Sequence, residues 1–227
     1  DKNVRDAILS LKKEPKKLED AFYTSLDFGT GGIRGIMGVG TNRINKYTLG
    51  KCTQGLSNFL KKKYSGEKIK VVVAYDCRNQ SKSFAHDVAD VLTANGIYCY
   101  LFSDLRPTPE LSFSIRYLKA NCGIVLTASH NPPEYNGYKV YGEDGGQLVP
   151  PDDILLTKEI NKIKYNTILF NRNKKLLKYI DNQIDNEYYK IVIQEAQMHK
   201  KNKDELKVVF TPIPVSYTHL TLPTIFR

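Results

Sequence analysis

The chain has 227 residues, 41% hydrophobic and 11% aromatic, a composition typical of a globular protein with a sizeable core. No apolar run reaches membrane-span length and the first residues are charged, so we expect neither a transmembrane helix nor a secretory signal. The formal net charge of +10 raises the alternative of nucleic-acid binding, although zinc-finger spacing and RNA-binding aromatic motifs are absent from the sequence.

Hydrophobic periodicity predicts helices and one glycine-rich loop in the first part of the chain. Val4, Ile8 and Leu11 recur at helical spacing and predict a first helix, which a second helix over residues 16–23 follows. The run over residues 27–35 contains four glycines and therefore predicts an irregular loop. A longer helix is predicted over residues 46–64.

From residue 69 onward, short apolar runs alternate with helical segments. Strands are predicted over residues 69–75, 97–102 and 123–126, and helices over residues 81–95 and 108–118. Ser81 and Thr108 are predicted to cap these helices, and Gly96 to end the first of them. The alternation predicts an α/β fold with a mixed, largely parallel sheet and helices on both faces.

The rest of the chain predicts a second α/β domain that is only begun. Asn136-Gly137 predicts a turn before a strand over residues 138–141, and a helix over residues 152–163 closes a first domain assigned to residues 1–165. A helix over residues 177–199 and a strand over residues 206–210 are predicted for the second domain, residues 166–211. Residues 212–227 lack helical periodicity and caps, and we interpret them as a non-native tail.

The cysteines indicate the redox environment. All four stand far apart and form no C-x-x-C pair: Cys52, Cys77, Cys99 and Cys122. Dispersed cysteines without an export signal predict reduced thiols and a cytoplasmic location.

The segment Thr127-Ala128-Ser129-His130-Asn131-Pro132 directly follows a predicted buried strand. The loop should therefore emerge at the carboxyl end of the strand, where open α/β sheets bind ligands. Ser129 can serve there as a nucleophile if a neighbouring group activates it, and the alternative is an ordinary turn serine. A serine–histidine hydrolase is not expected, because neighbouring side chains diverge in an extended segment and no G-x-S-x-G motif is present.

This loop and the glycine-rich segment resemble two motifs of one family. Residues 127–132 resemble the phosphoserine loop of the phosphohexomutase superfamily (phosphoglucomutases and phosphomannomutases), and the continuation through N-G-Y-K-V-Y to residue 141 fits as well. F-G-T-G-G-I-R-G at residues 28–35 resembles the N-terminal signature of the same family, in the form closest to the phosphoglucomutase and phosphopentomutase branch. The resemblance extends over about residues 20–211 and implies that residues 1–165 form phosphohexomutase domain I.

The resemblance implies an intramolecular phosphotransferase that acts through a phosphoserine and a sugar bisphosphate, with glucose 1-phosphate to glucose 6-phosphate as the first expectation. Ser129 would carry the phosphoryl group, and an oxygen of the phosphoserine would coordinate a Mg²⁺ cofactor. His130 would assist proton movement or orient the substrate, although a simple loop-orienting hydrogen bond is the alternative. Lys139 would contact phosphate or act as a base, unless it is a solvated lysine at a strand end. Arg34 would bind phosphate or the leaving oxygen.

The resemblance also implies contacts to substrate or phosphate from several further residues: Gly29, Thr30, Gly31, Gly32, Arg78, Thr127 and Asn131. The glycines would allow the backbone to approach the site closely. Arg78 would support the phosphoserine loop, with a surface salt bridge as the alternative. Thr127 and Asn131 would hold the loop rather than take part in the chemistry.

The sequence departs from the family pattern after the strand predicted over residues 206–210. The D-x-D-x-D-R metal loop, the sugar-recognition loop and the C-terminal phosphate-binding loop are absent from it, so we expect an inactive fragment. A non-catalytic phosphosugar-binding module is the alternative. The expected partners are sugar phosphates and a sugar bisphosphate, with neither nucleic acid nor membrane, and the oligomeric state is not predicted.

Overall fold

The structure is a computed structural model that describes residues 2–29 and 32–195. Its strands are β1 (Gly32–Ile36), β2 (Lys70–Tyr75), β3 (Tyr98–Phe102), β4 (Cys122–Leu126), β5 (Tyr135–Tyr141) and β6 (Leu177–Ile180). They form a six-stranded sheet in the order β1-β5-β4-β2-β3-β6. The neighbours β4, β2, β3 and β6 run parallel to one another, whereas β5 is antiparallel to both β4 and β1.

Helices pack on both faces of this sheet, which confirms the predicted fold class. The helices are α1 (Lys2–Leu11), α2 (Pro15–Phe22), α3 (Lys46–Lys63), α4 (Ser81–Ala94), α5 (Thr108–Tyr117), α6 (Asp152–Asn161) and α7 (Asn182–Glu195). Helix α3 packs against α4 and α6 over one face of the sheet, while α5 and α7 contact each other on the opposite face. No helix within residues 2–29 and 32–195 is long and apolar enough to cross a membrane.

The central strand β2 shows why its sequence is almost entirely apolar. Val71 and Val73 belong to the core under α3 and α4, whereas Val72 and Ala74 belong to the core under α5. Because successive side chains of a strand point to opposite faces, a strand covered on both sides needs apolar residues at every position. The valine-rich run is therefore a direct consequence of the two helical layers.

Glycine and polar residues at the helix ends differ in part from the sequence predictions. Gly96 follows the end of α4 with φ of +79°, as predicted for a residue that ends a helix. Ser81 is the first residue of α4 rather than its cap, because its hydroxyl donates to the Asp76 carboxylate instead. Thr108 is likewise the first residue of α5, with Pro107 in the capping position.

Three further predictions of secondary structure are wrong. Residues 32–36 form β1 rather than a loop, because they pair with β5 across the sheet. Asn136-Gly137 lies within β5 rather than in a turn. Residues 177–180 form β6 rather than the start of a helix, because they pair with β3.

The predicted division of the chain into two domains concerns residues beyond α6. Strand β6 lies in the range assigned to the second domain, yet it pairs in parallel with β3 in the same sheet as the other strands. The boundary at residue 165 stays a prediction. The strand predicted over residues 206–210 and the tail over residues 212–227 lie outside the described residues.

Candidate active site

Three chain segments meet at the edge of the sheet where β4 ends. Strand β2 runs parallel to β4, so the residues after Tyr75 reach the same edge as those after Leu126. Strand β5 runs in the opposite direction, which brings its first residues to this edge as well. The Asp76 amide donates to the Leu126 carbonyl at 3.2 Å, and the Thr127 amide donates to the Gly137 carbonyl at 3.1 Å.

Ser129 lies in the middle of the loop that leaves this edge. It is half-buried and has φ of +56°, a left-handed conformation that is uncommon for residues other than glycine. The exposed His130 places its Nδ1 3.4 Å from the Ser129 Oγ, which is long for a hydrogen bond. The prediction that these two side chains diverge is wrong, because the left-handed residue interrupts the extended backbone that the prediction assumed.

Thr127 connects Ser129 to a buried carboxylate. Its Oγ1 accepts a hydrogen bond from the Ser129 amide at 2.9 Å and donates one to the Asp76 Oδ2 at 2.6 Å. Asp76 Oδ1 accepts from the Arg78 amide and from the Ser81 hydroxyl, each at 3.0 Å. Thr127 therefore holds the loop from within rather than facing a ligand.

Arg78 binds the same loop through its backbone carbonyls. Its Nη2 donates to the carbonyls of Ser129 and Asn131, and its Nη1 donates to those of Pro132 and Tyr135 at 3.0 and 3.1 Å. The side chain is 6% exposed, so the alternative of a surface salt bridge is excluded. Four bonds from one rigid fork set the path of the loop, and a direct contact of Arg78 with phosphate stays a prediction.

Asn131 and Asn136 occupy different positions around this loop. Asn131 is half-buried, and its Oδ1 is a buried atom without a hydrogen-bond partner. Asn136 is fully buried and donates its amide to the Ser81 hydroxyl at 2.9 Å and to the Asn79 carbonyl at 3.0 Å. Sequence reasoning missed Asp76, Ser81 and Asn136 as members of the site. The D-C-R step after β2 was the signal that could have identified Asp76.

Arg34 and Lys139 lie on two neighbouring strands at the side of the loop. In the register of β1 and β5, Arg34 pairs with Gly137 and Lys139 pairs with Gly32, so both cationic side chains leave the same face of the sheet. Arg34 is exposed and Lys139 is half-buried. Burial lowers the pKa of Lys139, and the positive charge of Arg34 lowers it in addition.

The glycine-rich segment leads into β1 next to β5. Gly29 and Gly32 exchange two backbone hydrogen bonds of 3.1 and 3.0 Å, while Thr30 and Gly31 lie outside the described residues. Gly32 has φ of +139°, and a Cβ atom there would stand 1.9 Å from the Tyr138 carbonyl oxygen. Glycine is therefore required at residue 32 for close pairing with β5, in addition to any contact with a ligand.

The described side chains near Ser129 offer few ligands for the predicted magnesium ion. Within residues 2–29 and 32–195, no group of three or more His, Cys, Asp or Glu side chains could hold a metal ion. Both oxygens of Asp76, the carboxylate joined to the loop, already accept hydrogen bonds. These residues alone do not fit a magnesium site, and the Mg²⁺ cofactor stays a prediction.

A large apolar cavity lies beside α1 and α2. It has a volume of about 1060 Å³ and is lined by residues of α1 and α2, by the segment before α3 and by α4, with Val4, Ile8, Met37, Ile44 and Phe84 among them. None of the predicted site residues lines it. The candidate active site is instead the open loop edge around Ser129.

Comparison with known proteins identifies the family of this chain. Residues 25–167 match the family model of the phosphoglucomutase/phosphomannomutase α/β/α domain I, a range that includes both motifs. The chain belongs to the phosphoglucomutase/phosphomannomutase family. The resemblance predicted from the two motifs is thereby confirmed at the level of the phosphohexomutase superfamily.

Individual relatives agree with the family model. A phosphoglucomutase of Staphylococcus haemolyticus (strain JCSC1435) is 46% identical over 145 residues, which cover 64% of this chain and 26% of the relative. A phosphoglucomutase of Staphylococcus epidermidis (strain ATCC 12228) is 38% identical over 200 residues, which cover 86% and 36%. The crystal structure of a candidate phosphomannomutase from Thermus thermophilus aligns with a TM-score of 0.64 at 27% identity, covering 75% of this chain and 36% of the other. The matched part of the chain thus spans between 26% and 36% of the length of these relatives.

Proposed function

We propose that Ser129 is the phosphoryl carrier of a phosphosugar mutase. Its Oγ receives a phosphoryl group from a sugar bisphosphate, and a free hydroxyl of the bound sugar monophosphate later attacks the phosphorus. A new oxygen–phosphorus bond then forms to the sugar while the bond to Ser129 Oγ breaks. Glucose 1-phosphate and glucose 6-phosphate are the proposed pair of substrate and product, since the curated relatives named above are phosphoglucomutases.

The observation that carries this proposal is the way the loop presents Ser129. Asp76 acts through Thr127 on the Ser129 amide, and Arg78 binds the Ser129 carbonyl, so the backbone on both sides of the side chain is tied to buried groups. Catalysis of phosphoryl transfer depends mainly on positioning the reacting atoms and on stabilising the charge that develops on the phosphoryl group. Ser129 meets the requirement for positioning, because its backbone is fixed by hydrogen bonds while the residue is only half-buried.

The neighbouring side chains supply charge and a route for the proton. His130, 3.4 Å from the Ser129 Oγ, is proposed to accept or return a proton as the phosphoryl group moves. Lys139 is proposed as the second base, because the lowered pKa of its ammonium group makes the neutral amine more accessible. Arg34 is proposed to bind a phosphate oxygen, a role that suits an always-charged guanidinium. The magnesium ion and the cytoplasmic location stay predictions.

The test is to follow phosphoserine formation on the purified chain. Incubation with glucose 1,6-bisphosphate should add one phosphoryl group, and peptide mass spectrometry should locate it on Ser129. Ser129→Ala should abolish the addition, while the control Ser83→Ala, which removes an exposed hydroxyl on α4, should leave it unchanged. Phosphorylation that persists in Ser129→Ala would contradict the proposal.

The same preparation checks the expectation that this chain does not turn over. Conversion of glucose 1-phosphate should be absent even where Ser129 becomes phosphorylated, because conversion requires two successive transfers at two positions of the sugar and phosphorylation of Ser129 requires only one. Steady conversion by the purified chain would show that this expectation is wrong and would leave the role of Ser129 intact.

A further inference from the structure

The conformation of Ser129 requires a stabilising contact. A left-handed backbone is strained for a residue with a Cβ atom, because the Cβ atom comes too close to the following carbonyl oxygen. Ser129 adopts this conformation at φ of +56°, in a loop with neither helix nor strand geometry. Such strain persists only where surrounding contacts over-determine the backbone, so the contacts of Ser129 indicate what holds it.

The contact on the amide side has a defined direction. Thr127 has one hydroxyl proton, which it donates to Asp76 Oδ2 at 2.6 Å, and its oxygen then accepts the Ser129 N–H at 2.9 Å. A carboxylate accepts hydrogen bonds and has no proton to donate, so the chain of bonds runs from Ser129 through Thr127 to Asp76. The Arg78 amide and the Ser81 hydroxyl hold the other oxygen of Asp76, which prevents the carboxylate from rotating away.

We propose that Asp76, acting through the Thr127 hydroxyl, is a positioning residue that aims the Ser129 side chain for phosphoryl transfer. The catalytic part of this inference rests on the proposed role of Ser129. Asp76 and Thr127 are buried, so they act on the serine through its backbone. When the hydroxyl is lost, the Ser129 amide loses its acceptor and the left-handed residue relaxes, which displaces Oγ from the line of transfer. Misplacement of a reacting atom by about 1 Å can cost about 100-fold in rate.

Three variants separate this role from general packing. Thr127→Val keeps the shape of the side chain but removes the hydroxyl, and Thr127→Ser keeps the hydroxyl but removes the methyl group. Asp76→Asn replaces one acceptor oxygen of the carboxylate with a donor. Thr93→Val is the matched control, because Thr93 is a buried threonine on α4 whose hydroxyl bonds the Ala89 carbonyl and the Asn173 amide rather than the Ser129 loop.

The first measurement is the rate of Ser129 phosphorylation by glucose 1,6-bisphosphate at several concentrations. Thr127→Val should lower the maximal rate about 100-fold with little change in the half-saturating concentration, because the serine is misplaced while the ligand contacts remain. Thr127→Ser should recover most of the rate, Asp76→Asn should lower it about tenfold or more, and Thr93→Val should match the unsubstituted chain. An unchanged maximal rate in folded Thr127→Val would overturn the inference.

The second measurement does not depend on the reaction. Hydrogen exchange of the Ser129 amide should be slow in the unsubstituted chain and in Thr127→Ser, and clearly faster in Thr127→Val, while the amides of β4 stay protected. Equal exchange of the Ser129 amide in all variants would refute the positioning contact, whatever the rates. A third outcome is faster exchange of the Ser129 amide in Thr127→Val together with no phosphorylation of the unsubstituted chain by glucose 1,6-bisphosphate. The structural contact would then stand, but the proposed function would be refuted, and the catalytic part of the inference with it.

Discussion

Two buried groups of charged residues at one edge of the sheet differ in how their charges balance. The first, here called the loop network, comprises Asp76 and Arg78 with their hydrogen-bond partners beneath the Ser129 loop. The second, here called the helix network, joins α5 to α7 and has Arg106 between three carboxyl groups: Glu110, Asp181 and Asp185. The loop network has one acid for one base, whereas the helix network has three acids for one.

The surplus of acid explains why the two networks differ chemically. Arg106 forms two hydrogen bonds with Asp185, at 2.8 and 2.7 Å, while its Nε is 3.8 Å from the Glu110 carboxyl group. Burial, and after it the neighbouring Asp185, raise the pKa of Glu110 to about 8, against the opposing effect of Arg106. Glu110 of the helix network therefore keeps its proton at pH values where an ordinary glutamate has lost it. We expect the stability of the helix network to depend on pH, and that of the loop network to depend on keeping both charged partners.

The largest expected effect comes from removing the base of the loop network. Arg78→Leu deletes four hydrogen bonds to loop carbonyls and leaves Asp76 buried without its cation, which should cost about 3–5 kcal/mol of the free energy of unfolding. Urea unfolding measures this change. The control Arg116→Leu removes an exposed arginine and should stay within about 0.5 kcal/mol. An Arg78→Leu chain as stable as that control would show that the carbonyl contacts contribute little.

The next effect is a pH dependence that the raised pKa of Glu110 gives to the helix network. Because the folded chain keeps a proton on Glu110 up to a pKa of about 8, against an ordinary 4.5, its contribution to stability is complete below pH 4.5. The contribution is lost as the pH rises towards 8, at up to about 1.4 kcal/mol per pH unit. Glu110→Gln, which is neutral at every pH, should remove this slope from urea-unfolding curves recorded between pH 4.5 and 8.

The groups around Glu110 define the controls for that measurement. Glu110 pairs with Arg106, and its pKa is raised by Asp185 after burial. Glu110 in turn raises the pKa of Tyr189, and Asp181 joins the group through its ion pair with Arg106. The exposed Glu67 provides a matched control, and Glu67→Gln should keep the full slope. Burial lowers the pKa of His86, which adds an opposite slope at lower pH in both chains, so the difference between Glu110→Gln and Glu67→Gln isolates Glu110. Identical slopes would contradict the assignment.

The sequence predicted those parts of the fold that local patterns determine. The valine run of β2 and the periodic helices α3 to α5 follow from the side chains of those segments and were predicted close to their observed bounds. Strands β1 and β6 were missed because each exists through pairing with a distant partner, β5 or β3. Glycine-dense and short segments contain little local signal for such pairing.

The candidate site shows the same limit at the level of single residues. The motif identified Ser129 and its neighbours, but the roles of Asp76 and Asn136 depend on contacts across 51 and 55 residues of chain. The Asn136-Gly137 pair was predicted as a turn because of its composition. In the structure, Gly137 is needed since a Cβ atom would stand 2.6 Å from the Thr127 carbonyl oxygen and 2.7 Å from that of Ile33.

A smaller effect is expected at Asn136, which is joined to the loop network through the Ser81 hydroxyl. Asn136→Ala removes the hydrogen bonds to the Ser81 hydroxyl and the Asn79 carbonyl and leaves buried polar groups unpaired, which should cost about 1–3 kcal/mol. Its Oδ1 also accepts the Gly137 amide at 2.7 Å, so exchange of that amide should accelerate. The exposed Asn161 offers the control Asn161→Ala. If both variants unfold at the same urea concentration, Asn136 does not contribute to the network as inferred.

The smallest expected effect comes from substituting Cys77, the residue between Asp76 and Arg78 in the chain. Cys77 is exposed, while Cys52, Cys99 and Cys122 are buried, and burial raises the pKa of Cys52 and of Cys122 to about 12. A thiol reagent should therefore label one cysteine of the folded chain and none in Cys77→Ser.

Cys77→Ser should also change the free energy of unfolding by no more than about 0.5 kcal/mol, because the side chain of Cys77 is exposed. Urea unfolding of Cys77→Ser and of Arg78→Leu would then compare two adjacent residues, one with an exposed side chain and one with a buried side chain. A cost for Cys77→Ser near that of Arg78→Leu would mean that the segment tolerates no change at all. A negligible cost would assign the stability of the loop to the inward-facing side chains of Asp76 and Arg78.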